Sequence, residues 1–255
     1  MQAFETLRVD AKGAVGTLTL ARPARLNALS PQTLRELAQA ARWLDAQPGL
    51  KVVVVSGEGR GFCAGFDLDE TGGRVAPSAA VVDLGRQMAE AIDGIRAVTI
   101  ARIHGHCVGG GVVLAAACDL RVAGAGSRFS IPELDLGIPL AWGGIPRLVR
   151  ELGPAMAKEL VLTCRPFTAE EAHALRFVNR VVPDENLDDE VQWYVDQLVS
   201  KSSFTLVATK RHVNAVAEQA GSTSESFRDA EVAMSAMRDP ESISVMKRYL
   251  KARGR

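Results

Sequence analysis

Residues 106–121 read HCVGGGVVLAAACDLR, and the three glycines ahead of the alanine-rich run decide how the chain is read. Glycine is the costliest ordinary residue to order, and alanine would make the more stable helix. Three in succession therefore suggest backbone that must approach something closely. The apolar run behind them reads as a helix, whose positive dipole end faces the same point. Two backbone N–H groups converging on one atom make an oxyanion hole, and losing one such donor typically costs about 10²–10³ in rate. Taken alone the triplet also fits a tight turn or close helix packing. It is neither a dinucleotide fingerprint, which opens G-x-G-x-x-G, nor a phosphate loop, which needs G-K-[ST].

Around this stretch the chain alternates strand, loop and helix. AVGTLTL (14–20) mixes β-formers with alternation and reads as a strand. SPQTLRELAQAARWLDAQPG (30–49) reads as a helix. Ser30 suits the N-cap and Pro31 the first helical position, and Leu34, Leu37, Ala38, Ala41 and Leu44 share a face. VVVVSG (52–57) is apolar without alternation, as a parallel strand buried on both faces would be. A glycine-rich loop runs from Gly57 to Gly73, then a helix over Val81–Ile95 and a strand, VTIARI (98–103). The pattern repeats through DLRVAG (119–124) and RFSIPEL (128–134). FTAEEAHALRFVNRVV (167–182) carries a capping-box signature, Thr168 with Glu171. After about residue 185 the chain reads as helices: LDDEVQWYVDQLVS, FTLVATKRHVNAVAEQ, SESFRDAEVAMSAM and a final turn or two. The expected division is an α/β body, 1–185, and a helical tail, 186–255. Amphipathic tail helices cannot bury their apolar faces alone and must pack on the body or on other subunits.

The 255 residues suffice for a well-buried core, and 47% hydrophobic with 24% charged residues is a globular profile. Thirty basic residues balance thirty acidic ones, which gives no electrostatic case for nucleic acid or a membrane surface. Cys63, Cys107, Cys118 and Cys164 form no C-x-x-C pair, so reduced thiols in a cytoplasmic protein are expected. The opening residues show no signal-peptide pattern, and no apolar run approaches the length of a membrane span. No metal-ligand set and no nicotinamide or flavin fingerprint is visible.

Two further stretches carry chemistry: GRGFCAGFDLDE (59–70) and SRFSIPELDLGIPLAWGGIPRL (127–148). Together with ARPARLNALS (21–30), ACDLRVA (117–123) and TAEEAHALRFVNRVV (168–182), they resemble, in order and spacing, the crotonase superfamily, the enoyl-CoA hydratase/isomerase family. The resemblance covers nearly the whole chain. It implies an α/β fold, a spiral of repeated ββα units with a C-terminal helical region for trimerisation. It implies an acyl-CoA substrate, with CoA entering as part of the substrate rather than as a cofactor. It implies an oxyanion hole made by the N–H groups of Phe66 and Gly110, where a thioester enolate is stabilised, with Gly109 and Gly111 letting the backbone reach it. Phe66 replaces the family's commoner small residue but would act through its backbone. The segment Arg25, Leu26 and Ala28 would lie along CoA, with Ala64, Gly65, Asp67 and Leu68 on the other side. Where relatives often carry a lysine for CoA phosphates, this chain has Asp69 and Glu70.

Classical hydratases of the family use two glutamates, one activating water and the other delivering a proton. Here the first position is Val113 and the second Glu133. Valine neither ionises nor hydrogen-bonds, so two-glutamate hydration is not available. The resemblance then favours an isomerase, with Glu133 moving a proton from C2 to C4 of a 3-enoyl chain. A hydratase working with one glutamate, a malonyl-CoA-type decarboxylase and a binder without turnover stay open. The alternative role for Glu133 is structural, bonding loop amides after Pro132. The position where the family's dehalogenases and dienoyl-isomerases carry an aspartate holds Ala141. Trp142 stands where relatives carry small residues, and either shortens the acyl pocket or packs in the core. Asp135, His104 and His106 read as loop, turn and wall residues, and Asp67 as a brace. The tail implies a homotrimer or a dimer of trimers.

Overall fold

The run VVVVSG sits in the middle of a sheet, as its unbroken apolar character requires. A computed structural model describes residues 4–70, 72, 78–224 and 226–252. The first three residues of the opening segment, positions 71 and 73 of the glycine-rich loop, and Glu225 of SESFRDAEVAMSAM lie outside the described residues. In chain order the elements are β1 (Leu7–Lys12), β2 (Val15–Leu20), α1 (Pro31–Asp45), β3 (Val52–Gly57), α2 (Ala79–Asp93), β4 (Val98–Ile103), β5 (His106–Val108) and α3 (Gly110–Ala116). There follow β6 (Leu120–Gly124), β7 (Arg128–Ser130), α4 (Gly144–Thr163), β8 (Phe167–Thr168), α5 (Ala169–Ala174) and β9 (Arg180–Val182). The chain ends in α6 (Leu187–Val199), α7 (Ser203–Ala220), α8 (Asp229–Ala236) and α9 (Pro240–Ala252).

One sheet runs β1-β2-β3-β4-β6-β9 and the other β5-β7-β8. In the first, β1 and β2 form an antiparallel hairpin and every later pairing is parallel. The repeating unit is a long strand in the first sheet, a short one in the second, then a helix. β4, β5 and α3 make one such turn, and β6, β7 and α4 the next. In the preceding turn the short strand shrinks to a single bridge, Cys63 to Cys107, between β3 and α2. The helical layer of α1, α2 and α3 covers one face of the first sheet. On the other, α6 lays Leu187, Val191 and Val195 on Val52, Ile100 and Val122.

Local chemistry explains most boundaries. The Ser30 hydroxyl accepts the Thr33 N–H and Pro31 opens α1. The capping box is only half formed: the Thr168 hydroxyl accepts the Glu171 N–H, but the Glu171 carboxylate pairs with Arg165 at 2.6 Å. A nearby guanidinium holds a carboxylate more strongly than one backbone amide does. RFSIPEL is strand only as far as Ser130, since Pro132 cannot donate to a ladder. α4 has no clear helical signature in the sequence, because Gly153 (φ 74°) and Pro154 break its twenty residues. α9 is a full helix of 13 residues rather than a turn or two. Among the described residues no helix is long and apolar enough to cross a membrane.

Losing the α1 N-cap through Ser30→Ala is expected to lower stability by about 1 kcal/mol. A urea titration with unchanged m-value would read it as a lower midpoint.

Candidate functional site

The site begins with a loop that has no strand of its own yet is bonded on both sides. On one side, the Phe62 N–H donates to the His104 carbonyl (2.8 Å), the Cys63 N–H to His106 (2.9 Å) and the Val108 N–H to Cys63 (2.9 Å). On the other, the Ala64 N–H donates to Leu26 (3.0 Å), the Leu29 N–H to Gly65 (2.7 Å) and the Asp67 N–H to Leu29 (3.0 Å). Residues 62–67 thus bridge the segment after β2 and the segment around β5. Gly65 (φ 87°) backs onto the second loop so closely that a methyl group on it would meet the Val108 carbonyl oxygen at 2.8 Å and the Gly110 nitrogen at 3.6 Å. Among the described residues, neither the Phe66 N–H nor the Gly110 N–H donates to a protein acceptor.

The three glycines each have a separate steric cause. A side chain on Gly109 (φ 52°) would lie 2.6 Å from Oε1 of Glu133. One on Gly110 would overlap the indole of Trp142, and one on Gly111 would meet the Cys63 carbonyl at 2.7 Å. Behind them all seven residues of α3 are buried. The helix is held at its far end by Arg121, whose guanidinium donates to the carbonyls of Cys118 (2.7 Å) and Ala115 (3.3 Å) and pairs with Glu151 at 2.8 Å. A cation at that end opposes the negative pole of the helix dipole.

Glu133 stands in a tight turn in which its own carbonyl accepts the N–H groups of Leu136 and Ile138, both at 3.0 Å. The residue as a whole is half-buried, but its Oε2 is closed off from solvent and has no hydrogen-bond partner. Loss of hydration is the dominant cause that raises its pKa from 4.5 to about 7, with its own backbone amide pulling slightly the other way. An unpartnered carboxylate oxygen is not spent on bracing the loop.

One cavity of about 540 Å³ gathers the residues singled out in the sequence. Arg25, Leu26, Ala28, Ala64, Gly65, Phe66, Asp67, Leu68, Gly109, Gly110, Val113, Glu133, Ala141 and Trp142 all line it. Val113 is buried in the helix wall. Asp67 is buried; its Oδ1 accepts the N–H groups of Asp69 and Glu70, and its Oδ2 pairs with Arg22 at 2.8 Å. Asp69 pairs with Arg25 at 2.6 Å and Glu70 with Arg22. The acidic pair at 69–70 thus engages arginines at the cavity mouth. Asp135 is exposed and stands outside the cavity, as do His104 and His106. His104 is fixed between Arg102 and the Gly59 carbonyl, and burial is the largest cause lowering its pKa.

Several lining residues carry no signal in the sequence. Arg60, Leu136, Ile138 and Leu140 come from loops, and Ala233, Tyr249 and Leu250 from α8 and α9. The tail therefore closes one wall of the cavity. It reaches there because α8 packs on α2 and α9 packs on the turn bearing Glu133, where a side chain on Gly137 would overlap the Ser242 carbonyl.

The family model described as enoyl-CoA hydratase/isomerase matches residues 10–253. A Mycobacterium bovis protein named "probable enoyl-CoA hydratase" is 34% identical over 83% of this chain and 82% of its own length. An Arabidopsis thaliana protein named as a peroxisomal Delta(3,5)-Delta(2,4)-dienoyl-CoA isomerase is 35% identical over 82% of each chain. The crystal structure of an enoyl-CoA hydratase/isomerase from Xanthobacter autotrophicus superposes with a TM-score of 0.87 at 26% identity, covering 98% of both chains.

The raised pKa of Glu133 has a stability consequence. Folding binds its proton more tightly, so the contribution is fully present below pH 4.5 and is lost as pH rises towards about 7. Glu133→Gln escapes that loss. Urea denaturation is expected to find the variant more stable than wild type at pH 8, by up to about 3 kcal/mol. The advantage should shrink at pH 5; an equal difference at both values would contradict a strained, buried carboxylate.

Proposed function

The chain belongs to the enoyl-CoA hydratase/isomerase family, and from that premise we propose that this acyl-CoA enzyme shifts an enoyl double bond from the 3 to the 2 position, with Glu133 as its single acid/base. The observation that carries this reading is Glu133: its Oε2 is buried and unpartnered, whereas Asp67 and Asp69, which line the same cavity, pair with arginines, and the position where a second glutamate would stand holds Val113. In this reading the thioester carbonyl lies against the free N–H groups of Phe66 and Gly110. Glu133 removes a proton from C2, and the electrons pass to the carbonyl oxygen as an enolate. The enolate re-forms the carbonyl while the same proton is returned to C4, leaving the 2,3 double bond conjugated with the thioester. No water and no second acid are consumed. A carboxylate whose pKa lies near 7 suits both halves of that transfer, since it takes and releases the proton at similar cost.

CoA would extend past Arg25, Leu26 and Ala28 towards the mouth, with Ala64 to Leu68 opposite. We assign the helices after residue 185 to assembly as a trimer or dimer of trimers. Support comes from α7, which buries none of its residues and leaves Phe204 at 80% exposure.

A second reading, hydration of a 2-enoyl-CoA, is favoured by the hydratase name of the Mycobacterium relative. It requires water to be activated beside Val113 by Glu133 alone.

Purified protein given a 3-enoyl-CoA should form the conjugated 2-enoyl product. Glu133→Gln is expected to lose about 10²–10⁴ of kcat/KM, and unchanged isomerisation in that variant would sink the reading. For wild type, kcat/KM should rise with pH and level off above about 7, because the working form is the carboxylate. Crotonyl-CoA should be hydrated poorly by wild type and faster by Val113→Glu. Fast hydration by wild type would favour the second reading instead.

A further inference from the structure

Trp142 lines the cavity and sits against both α2, at Gly85, and α3, at Gly110. Its ring is buried, and glycine meets it from both sides. A side chain on Gly110, the first residue of α3, would overlap the edge of the six-membered ring, and one on Gly85, in the middle of α2, would overlap the ring fusion. Glycine inside an ordinary helix destabilises it relative to alanine, and at position 85 the indole explains its presence. The Phe66 ring meets the indole edge to face, with centroids 6.0 Å apart. The two residues that offer free N–H groups to the thioester, Phe66 and Gly110, thus both touch the indole. An acyl chain leaving that point meets the ring at once.

The indole is also held in position at a conformational cost. Trp142 (φ 64°) and Gly143 (φ 66°) form a turn closed by the Gly144 N–H donating to the Ala141 carbonyl at 3.0 Å. Positive φ at both central positions marks the I′ type, which asparagine and glycine adopt readily and tryptophan does not. Two helices pin the turn: the Gly143 N–H donates to the half-buried Asp229 of α8 at 2.8 Å, and its carbonyl accepts from the buried Arg147 of α4 at 3.2 Å. Strain of this kind persists where the surroundings over-determine it. Beside the ring the wall is apolar, with Val82, Val113, Leu140 and Ala233 bordering the same cavity.

We propose that Trp142 is an end-stop that confines this site to short acyl chains, and that its removal opens a channel between α2 and α3 for longer ones. The proposal rests on the acyl-CoA reading above but not on turnover, so it is tested by binding. Saturated butyryl-, hexanoyl- and decanoyl-CoA are titrated calorimetrically into wild type, Trp142→Ala and Trp142→Phe, each checked for cooperative melting. A methylene that gains burial tightens binding about fourfold. Wild type is expected to bind decanoyl-CoA no tighter than butyryl-CoA. The decanoyl-to-butyryl affinity ratio should rise by about tenfold or more in Trp142→Ala, with Trp142→Phe between. If the alanine variant fails to melt cooperatively, the phenylalanine variant decides by the same ratio, which must rise for the proposal to stand. A wild-type affinity that keeps climbing with each methylene overturns it, as does an unmoved ratio in a folded variant. Absence of binding by every acyl-CoA overturns both this proposal and the acyl-CoA reading beneath it. The expected affinity ratios without isomerisation overturn only the reaction assigned to Glu133.

Discussion

Everything at the site depends on residues 62–67 being bonded along both edges. A six-residue stretch with glycine at 65, and another just before it at 61, has no propensity that would keep it extended. It is extended because the segment 26–29 takes one edge and residues 104–108 the other, at distances between 2.7 and 3.0 Å. Those two partners are remote in sequence and are brought alongside by the parallel pairing of β2, β3 and β4. The consequence is chemical. Bonds on both edges use the N–H groups of residues 62, 63, 64 and 67 and leave that of Phe66 unused beside Gly110. An unpaired N–H in a protein interior is costly unless it awaits an acceptor.

The second tension is the carboxylate. Glu133 is held with one oxygen closed off and unpartnered, and the raised pKa is the direct expression of that unfavourable burial. The turn that holds it satisfies its backbone carbonyl through Leu136 and Ile138, while the side-chain oxygen is left without a partner. Gly109 lets the carboxylate approach the start of α3, where any side chain would displace it. The same device recurs next door, where Gly110 and Gly85 admit the Trp142 indole. Small residues here record the positions of large neighbours.

Much of this was legible in advance where the cause is local. Ser30 and Pro31 mark the start of α1, and the non-alternating valines mark a strand covered on both faces. The site residues were legible as a set because three motifs occur in order, and the cavity gathers all of them. The features that are not legible there have long-range causes. α4 is not legible because Gly153 and Pro154 interrupt it with a kink. The capping box at Thr168 looked complete, yet Arg165 captures the glutamate that would have closed it. Tyr249 and Leu250 gave no sign of reaching the cavity, since their position depends on where α9 docks.

By itself the sequence determined the family, the alternation of strand and helix, the residues around the site and the absence of a second glutamate at Val113. These are properties of residue identity and short spacing. Tertiary structure decided which groups are left unpaired: the N–H groups of Phe66 and Gly110, and one oxygen of Glu133. It also decided what each glycine of HCVGGGVVLAAACDLR accommodates, namely a carboxylate, an indole and a neighbouring carbonyl. The reason is that pairing and crowding are set by partners 24 to 48 residues away, which only the packing of the two sheets and their helices brings within reach.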